Sequence, residues 1–346
     1  MARFTRTNNM PRHQHGIAVW GLGRHAINNV LPAVAAGPGF QLAGVCSRNQ
    51  AVGAEVAQRF HCAAWNDAAA MLADPRVEVV YICTPVGVHL THALQALEAG
   101  KHVICEKSLV CAPADAERLI RAADERGLVL CEALMFLHHP RTVELLAFLA
   151  QNMGGTVRSI SADFLLPRLE SPGYRASKAL GGGAFWDVAC YPVALATAVM
   201  QAAGAVAHAS FAVDVDTGVD CSGSARLTWS SGASAQLNWG YGFAYRNHAV
   251  IVGVSHVVEI GRVFTKGNEA LDFAIYDSRG QLLERRVSPS ANSFACLLED
   301  VRRAVDDPAG RRALYARAMT QADTMAGIRR HSTPNSPVSG LDSQDK

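Results

Sequence analysis

Apolar residues in the first third of the chain fall in short unbroken runs separated by amphipathic stretches. The runs Ile17–Trp20, Phe40–Cys46, Val79–Cys83, His102–Cys105 and Leu128–Cys131 have strand length. Between them, Ala51–Phe60, His89–Glu98 and Ala114–Arg126 repeat their apolar positions every three to four residues, the period of a helix with one buried face. Strands apolar on both sides that alternate with helices describe a parallel sheet covered on both faces. After Pro140 the period changes. A helix near Thr142–Gln151 is followed by a strand, Ser159–Leu165, a glycine-rich loop and another helix. The runs Ala207–Val215, Gly223–Trp229, Ser234–Trp239, His248–Val254 and Leu271–Tyr276 then alternate apolar with polar, the period of an antiparallel sheet. Helices near Ser293–Val305 and Arg311–Arg329 close the pattern.

The expected architecture is α/β: a parallel-sheet domain over 16–136, then an α+β domain over 137–330 with an open-faced, mostly antiparallel sheet. Its uncovered face is expected to carry apolar area that pairs with another subunit, giving a homodimer or homotetramer. The polar segments 1–15 and 331–346 are expected to be a disordered leader and a disordered tail.

A length of 346 residues suits two cores better than one, and 49% apolar with 18% charged residues is the composition of a folded interior. The 32 basic and 30 acidic residues are scattered and nearly cancel, so nucleic acid and membrane surfaces are not the expected partners and small molecules are. Apolar runs such as Val77–Thr84 fall well short of the roughly 20 residues that cross a bilayer. The nine cysteines form no Cys-X-X-Cys pair, and Cys46, Cys83, Cys105 and Cys131 sit in apolar strands. They read as reduced core thiols of a cytoplasmic protein. His138 and His139 are adjacent, so their side chains diverge, and no ligand-spaced partner stands nearby; no metal is expected. His13 and His15 fall in the leader and are given no role.

The most specific local pattern follows the first strand. Ile17–Trp20 runs into Gly21-Leu22-Gly23-Arg24-His25-Ala26 and then a helix through Leu31 and Val34. In a dinucleotide-binding Rossmann unit the glycine at position 21 allows the tight turn, Gly23 lets backbone approach a pyrophosphate, and Ala26 lets helix and strand pack closely. The helix N-terminus adds amides and a favourable dipole for the phosphates. At the end of the second strand, where an NAD-specific site usually has a carboxylate, the chain has Cys46-Ser47-Arg48-Asn49. A hydroxyl and a guanidinium there suit a 2′-phosphate, which favours NADP(H) over the still possible NAD(H), although Arg48 also reads as a solvated residue at a helix start.

Three later segments resemble the Gfo/Idh/MocA oxidoreductases over nearly the whole span from Gly16 to Arg329. They are Tyr81-Ile82-Cys83-Thr84-Pro85 with His89, the run Glu106-Lys107-Ser108, and Gly181-Gly182-Gly183-Ala184-Phe185-Trp186-Asp187-Val188-Ala189-Cys190-Tyr191-Pro192. The resemblance implies that Thr84, Pro85, His89, Glu106 and Lys107 lie beside the cofactor and that Asp187 and Tyr191 enter the active site. Ser108 stands where the family has a proline that is commonly in a cis peptide. The chemistry agrees: ketone reduction needs hydride at carbon and a proton at oxygen. Tyr191 is the expected proton donor and Lys107 the charge that lowers its pKa, with Asp187 at i, i+4 from Tyr191 on one helical face. Each residue alone reads more readily as a solvated lysine, a core aromatic or a helix N-terminal charge, and the cofactor turn beside them reverses that balance.

Finer features are similar to the nucleotide-sugar 3-ketoreductases within that family: Glu106-Lys107-Ser108-Leu109, Tyr174-Arg175, Cys190-Tyr191-Pro192, Tyr245-Arg246-Asn247 and Gly261-Arg262-Val263-Phe264-Thr265. Arg168, Tyr174, Arg175 and Tyr245 are the candidate contacts for a hydroxyl-rich sugar ligand. Keto-sugar reduction is the expected reaction. A sugar, polyol or dihydrodiol dehydrogenase and a non-catalytic dinucleotide-binding sensor are the alternatives.

Overall fold

The computed structural model describes residues 14–265 and 268–334. Six parallel strands, β1 (His15–Trp20), β2 (Phe40–Cys46), β3 (Ala63–Trp65), β4 (Val79–Ile82), β5 (His102–Cys105) and β6 (Leu130–Glu132), form the first sheet in the order β3-β2-β1-β4-β5-β6. Helices α1 (Leu31–Ala36), α2 (Gln50–Phe60), α3 (Ala68–Ala73), α4 (His89–Glu98) and α5 (Pro113–Asp124) connect them. The strand runs are apolar throughout because alternate residues enter different cores. Ile17, Val19, Tyr81 and Ile104 join a core shared with the second domain, and Ala18, Trp20, Val80, Ile82 and Cys105 join one under α4 and α5. Strand order reverses at β1, which opens a crevice at the carboxyl ends of β1 and β4.

Beyond a short turn, Met135–His138, come α6 (Pro140–Met153), β7 (Val157–Leu166) and α7 (Cys190–Met200). Strands β8 (Ala205–Val213), β9 (Asp220–Thr228), β10 (Ser234–Tyr241), β11 (Arg246–Gly253), β12 (His256–Gly261), β13 (Leu271–Asp277) and β14 (Leu282–Ser288) follow. Helices α8 (Ser293–Asp306) and α9 (Pro308–Arg330) and a last strand, β15 (Ser332–Pro334), end the described chain. The nine strands are ordered β14-β13-β12-β11-β7-β10-β9-β8-β15, with β7/β10 and β8/β15 parallel and the other neighbours antiparallel. One face buries Ile160, Ala162, Phe164, Leu237, Trp239 and Ile251. This N-terminal Rossmann sheet followed by a mixed, mostly antiparallel sheet is the expected fold class.

Several boundaries differ from expectation. His15 belongs to β1, where its Nδ1 lies 2.7 Å from Glu78 Oε2, so the supposed leader already contributes to the sheet; residues 1–13 lie outside the described residues. Ser332–Pro334 pair with Ala209–Phe211, so the supposed tail begins as a strand; 335–346 lie outside the described residues. The closing helices serve both sheets: α9 packs on α5 and β6 as well as on α7 and β8, and Tyr315 donates to the Leu128 carbonyl. Segment Lys178–Met200 is apolar and long enough to cross a membrane, but it is mostly buried within the fold.

The uncovered face of the large sheet is also unlike its expectation. Ser210 hydrogen-bonds Ser224 there, and Asp163 accepts from Asn238 at 2.7 Å and from Arg246 at 2.6 Å. It is a face of small polar and paired charged residues. Three exposed aliphatics, Leu282, Leu283 and Val287, lie together instead on edge strand β14.

Candidate active site

The glycine turn leaves β1 at Gly21, whose φ of +100° suits glycine and whose N–H donates to Cys46 O at 2.9 Å. A Cβ at Gly21 would stand 2.9 Å from the Cys83 carbonyl carbon and from Thr84 Cγ2, whereas one at Gly23 would meet nothing within 4 Å. Gly21 is therefore glycine because protein fills the space, and Gly23 fronts open space. Leu22 packs on the core, Arg24 is exposed, and Ala26 is buried where helix meets strand. The helix opens with a wide turn, Ala26–Val30, before α1. Pro32, just inside α1, lacks the N–H that a regular turn would donate.

On the far side of the crevice, Ser47 Oγ accepts from Asn49 N and Asn49 caps α2, leaving Arg48 exposed at the end of β2. Thr84 Oγ1 meets His92 Nδ1 at 3.0 Å, and the His92 ring stacks on Trp20 at 4.1 Å. Burial, with the charge of nearby Arg48, holds His92 down to about 4, so it is neutral. Pro85 begins the short turn Val86–Val88. His89 was expected beside the cofactor, yet it is 1% exposed and ties the loops together, with Nε2 2.7 Å from Thr84 O and Nδ1 2.8 Å from Ser108 O. It positions those loops and leaves no ring nitrogen for a ligand.

At the end of β5, Glu106 Oε1 meets His25 Nε2 at 3.1 Å and accepts the Tyr81 hydroxyl at 3.0 Å. Burial raises the Glu106 pKa, but His25 and Lys107 outweigh it and keep the carboxyl ionised. This ties the Lys107 strand end to the glycine turn. The Lys107–Ser108 peptide is cis, and Ser108 Oγ donates to Trp186 O at 3.0 Å.

Lys107 is the hub. Its Nζ donates to Asp187 Oδ1 at 2.5 Å and to Asp187 O at 2.7 Å, and it lies 5.4 Å from the centre of the Tyr191 ring. Burial disfavours the ammonium, yet Asp187 and Tyr191 together hold its pKa well above the usual lysine range. Asp187 Oδ2 accepts from Arg175 Nε at 2.6 Å and from the Tyr241 hydroxyl. Against burial, Lys107 and Arg175 hold its carboxyl well below the usual range. Asp187 has both oxygens engaged by protein groups, an arrangement that orients Lys107 and leaves neither oxygen free for substrate hydroxyls. Nor does it stand on a regular α-turn: Phe185–Ala189 form a wide π-type turn ahead of α7, which takes Asp187 and Tyr191 off the expected i, i+4 stack while both still reach Lys107.

Tyr191 departs from expectation in sign. Burial pushes its phenol pKa up, and the opposing pull of Lys107 only partly offsets this, so the group is a protonated phenol at neutral pH. Its hydroxyl lies 4.0 Å from Met135 Sδ, and its ring packs against Phe136, Phe164 and Phe264.

The residues expected to meet a sugar are dispersed. Tyr174 stands near Lys107 under the Arg175 guanidinium at 4.9 Å, and Arg175 is committed to Asp187. Arg168 is exposed and its charge acts on Asp214. Tyr245 is 52% exposed on the β10–β11 loop, with its hydroxyl 3.5 Å from Thr265 Oγ1. The glycines at 181–183 approach protein and not an open face. Added Cβ atoms would fall 2.3 Å from Val86 Cγ1, 2.4 Å from Arg175 O and 2.4 Å from Asp220 Oδ1.

Two members of the constellation were not anticipated. Tyr241 ends the inward-facing series Ala235, Leu237, Trp239, and its polar tip at a core position was the available signal. Asp220 is 5% exposed and accepts from Phe185 N at 2.5 Å, which fixes the start of the turn carrying Asp187. Nothing near it in sequence pointed to that partner. No metal-binding cluster occurs among the described residues.

Comparison with known proteins places both domains in one family. Residues 15–134 match the model described as oxidoreductase family, NAD-binding Rossmann fold, and 142–259 match the GFO/IDH/MocA C-terminal domain. The dTDP-3,4-didehydro-2,6-dideoxy-α-D-glucose 3-reductase of Streptomyces violaceoruber is 36% identical over 72% of this chain and 73% of its own length. The enzyme of the same name from Streptomyces antibioticus is 32% identical over 92% of this chain and 97% of its own. The crystal structure of KijD10, a 3-ketoreductase from Actinomadura kijaniata in complex with NADP and TDP-benzene, superimposes with a TM-score of 0.87 at 30% identity, covering 93% of this chain and 99% of that one.

Proposed function

Because the chain belongs to the Gfo/Idh/MocA oxidoreductases, enzymes acting on C=O and CH–OH groups, we propose that it uses NADPH to reduce the 3-keto group of a dTDP-linked deoxyhexose. One observation carries this reading: an ammonium, Lys107, held 2.5 Å from Asp187 and over the Tyr191 ring at the carboxyl end of β5, beside a glycine turn whose Gly23 fronts open space. The relatives' names supply the finer terms, NADP, dTDP and the 3-position.

The residues fit the cofactor. Gly21–Ala26 would receive the pyrophosphate, Arg48 the 2′-phosphate, and Thr84, Pro85 and Lys107 would border the nicotinamide end. Bound there, NADPH supplies hydride to the keto carbon. Lys107 directs its positive charge at the keto oxygen, where negative charge develops, because Asp187 and Arg175 fix the side chain before substrate arrives. Tyr191, kept protonated by burial, gives its proton to that oxygen. Tyr174, on the loop facing Lys107, is the sugar contact this reading retains.

The Arg48 assignment has a simple check. Replacing Arg48 with alanine removes a charge-assisted contact worth roughly 1.5–3 kcal/mol, so NADPH affinity falls about tenfold or more while NADH affinity stays within about twofold. Fluorescence titration reads both, and equal losses for the two cofactors would return Arg48 to solvent. The reaction itself is tested by NADPH consumption with dTDP-3,4-didehydro-2,6-dideoxy-α-D-glucose and, in the oxidative direction, by NADPH formation from NADP+ with aldoses, polyols and dihydrodiols. Turnover of the last three alone would favour a dehydrogenase, and binding without any turnover a sensor.

The exposed aliphatics Leu282, Leu283 and Val287 on edge strand β14, and not the polar uncovered face, support self-association as a homodimer or homotetramer. Light scattering that returns the mass of a single chain would end that part of the reading.

A further inference from the structure

Behind the Lys107 loop lies a cavity of about 10 Å³ to the centre of a water, lined by Ser108, Leu109, Val110, Glu132, Gln321 and Met325. That is room for one water molecule. Two buried polar side chains share it. Glu132, 9% exposed at the end of β6, accepts the Leu109 N–H at 2.9 Å, two residues past Lys107. Gln321, 3% exposed on α9, donates its amide to Cys190 O at 2.8 Å, one residue before Tyr191. Its Oε1 has no hydrogen-bond partner, an arrangement that costs free energy in a buried site unless it serves a purpose. One grip therefore holds the Lys107 loop and the other the start of α7, and both end on the same small cavity.

We propose that Glu132 and Gln321 act as one positioning unit that sets the spacing of Lys107 and Tyr191 from behind the active site, joined across that cavity by a single water. The inference rests on the proposed reduction only for its kinetic readout. Because β6 and α9 are rigid elements, displacing either grip moves one proton-handling group relative to the other while leaving the glycine turn untouched.

The charged surroundings of Glu132 make the unit sensitive to pH. Burial pushes its carboxyl up to about 7, against the pull of the Leu109 N–H, Lys107 and Arg317, with Glu106 adding to the rise. The thiols of Cys105, Cys131 and Cys190 complete the surroundings, and burial pushes each of them well above the usual thiol range, so they stay neutral. Ionisation of Glu132 puts a second carboxylate behind Lys107 in competition with Asp187.

The test uses the full chain with NADPH, Glu132→Gln, Glu132→Ala, Gln321→Leu and the double variant Glu132→Ala/Gln321→Leu. Glutamine keeps the acceptor for Leu109 N without the charge. We expect Glu132→Gln to hold kcat within about threefold of wild type at pH 6 and to lose the alkaline fall of the wild-type profile. Glu132→Ala and Gln321→Leu are each expected to lower kcat about tenfold with NADPH affinity unchanged, and the double variant to cost no more than the worse single one, as for residues in one unit. Additive losses, or an alkaline fall retained in Glu132→Gln, would overturn the proposal.

Thermal unfolding checks the carboxyl without any sugar. A carboxyl raised in the folded state binds its proton more tightly there, so wild type loses stability relative to Glu132→Gln as pH rises from about 4.5 to about 7, and the gap is constant above. A gap independent of pH over that window contradicts the assignment. Absence of turnover with every keto-sugar would instead count against the proposed function and leave this comparison decisive.

Discussion

Replacing Lys107 with alanine is expected to lower kcat/KM for NADPH-dependent keto-sugar reduction by about 10³-fold or more, the scale of removing a preorganised charge at a developing oxyanion. Lys107 is 11% exposed in its side chain and bonded to Asp187 at 2.5 Å, so its charge needs little reorganisation when the carbonyl polarises. Asp187 keeps Arg175 and Tyr241 in the variant, which spares it the full cost of an unpaired buried charge. NADPH affinity should therefore stay within a few-fold and the variant should remain folded. Single-turnover kinetics with a fluorescence titration of NADPH separate the two effects. A Lys107→Ala enzyme within a few-fold of wild type in kcat would mean that another group carries the charge.

The second large effect belongs to Tyr191. Changing it to phenylalanine keeps the ring, and with it the packing on Phe136, Phe164 and Phe264, while removing only the hydroxyl. Loss of a general acid lowers kcat by about 10²–10⁴-fold. Because burial raises the phenol pKa, Tyr191 adds no break to the wild-type pH–rate profile between about pH 6 and 9; any break in that window comes from other groups. A Tyr191→Phe enzyme that retains most of its kcat would transfer the role of proton donor to Lys107, whose ammonium lies 5.4 Å from the centre of the same ring.

Much of the fold was legible because burial on both faces writes itself into sequence: the unbroken runs of β1, β4 and β5 have no other economical reading. Strands with one or no buried face were harder. In β14 the run Leu282-Leu283-Glu284-Arg285-Arg286-Val287 has no clean alternation, since most of it is exposed at a sheet edge. β3 is three residues long, and β12 lies among glycines. His15 was misplaced because its partner, Glu78, lies 63 residues away.

The candidate site divides the same way. Lys107, Asp187 and Tyr191 were found because local motifs mark them. Their supports were not, because Tyr241 reaches Asp187 from 54 positions away, Asp220 reaches Phe185 from 35, and Gln321 reaches Cys190 from 131. The expected sign of the Tyr191 shift failed for a related reason: a neighbouring lysine can be read from a motif, but the depth of burial that outweighs it depends on the whole second domain. Arg175 was assigned to substrate because sequence shows a charge and not its partner.

Isotope transfer tests the central claim most directly. With NADPH deuterated at the transferring position of nicotinamide C4 and dTDP-3,4-didehydro-2,6-dideoxy-α-D-glucose as substrate, the account predicts one deuterium at C3 of the product hexose, read by NMR. Deuterium at C4, or no deuterium in the sugar, would contradict it.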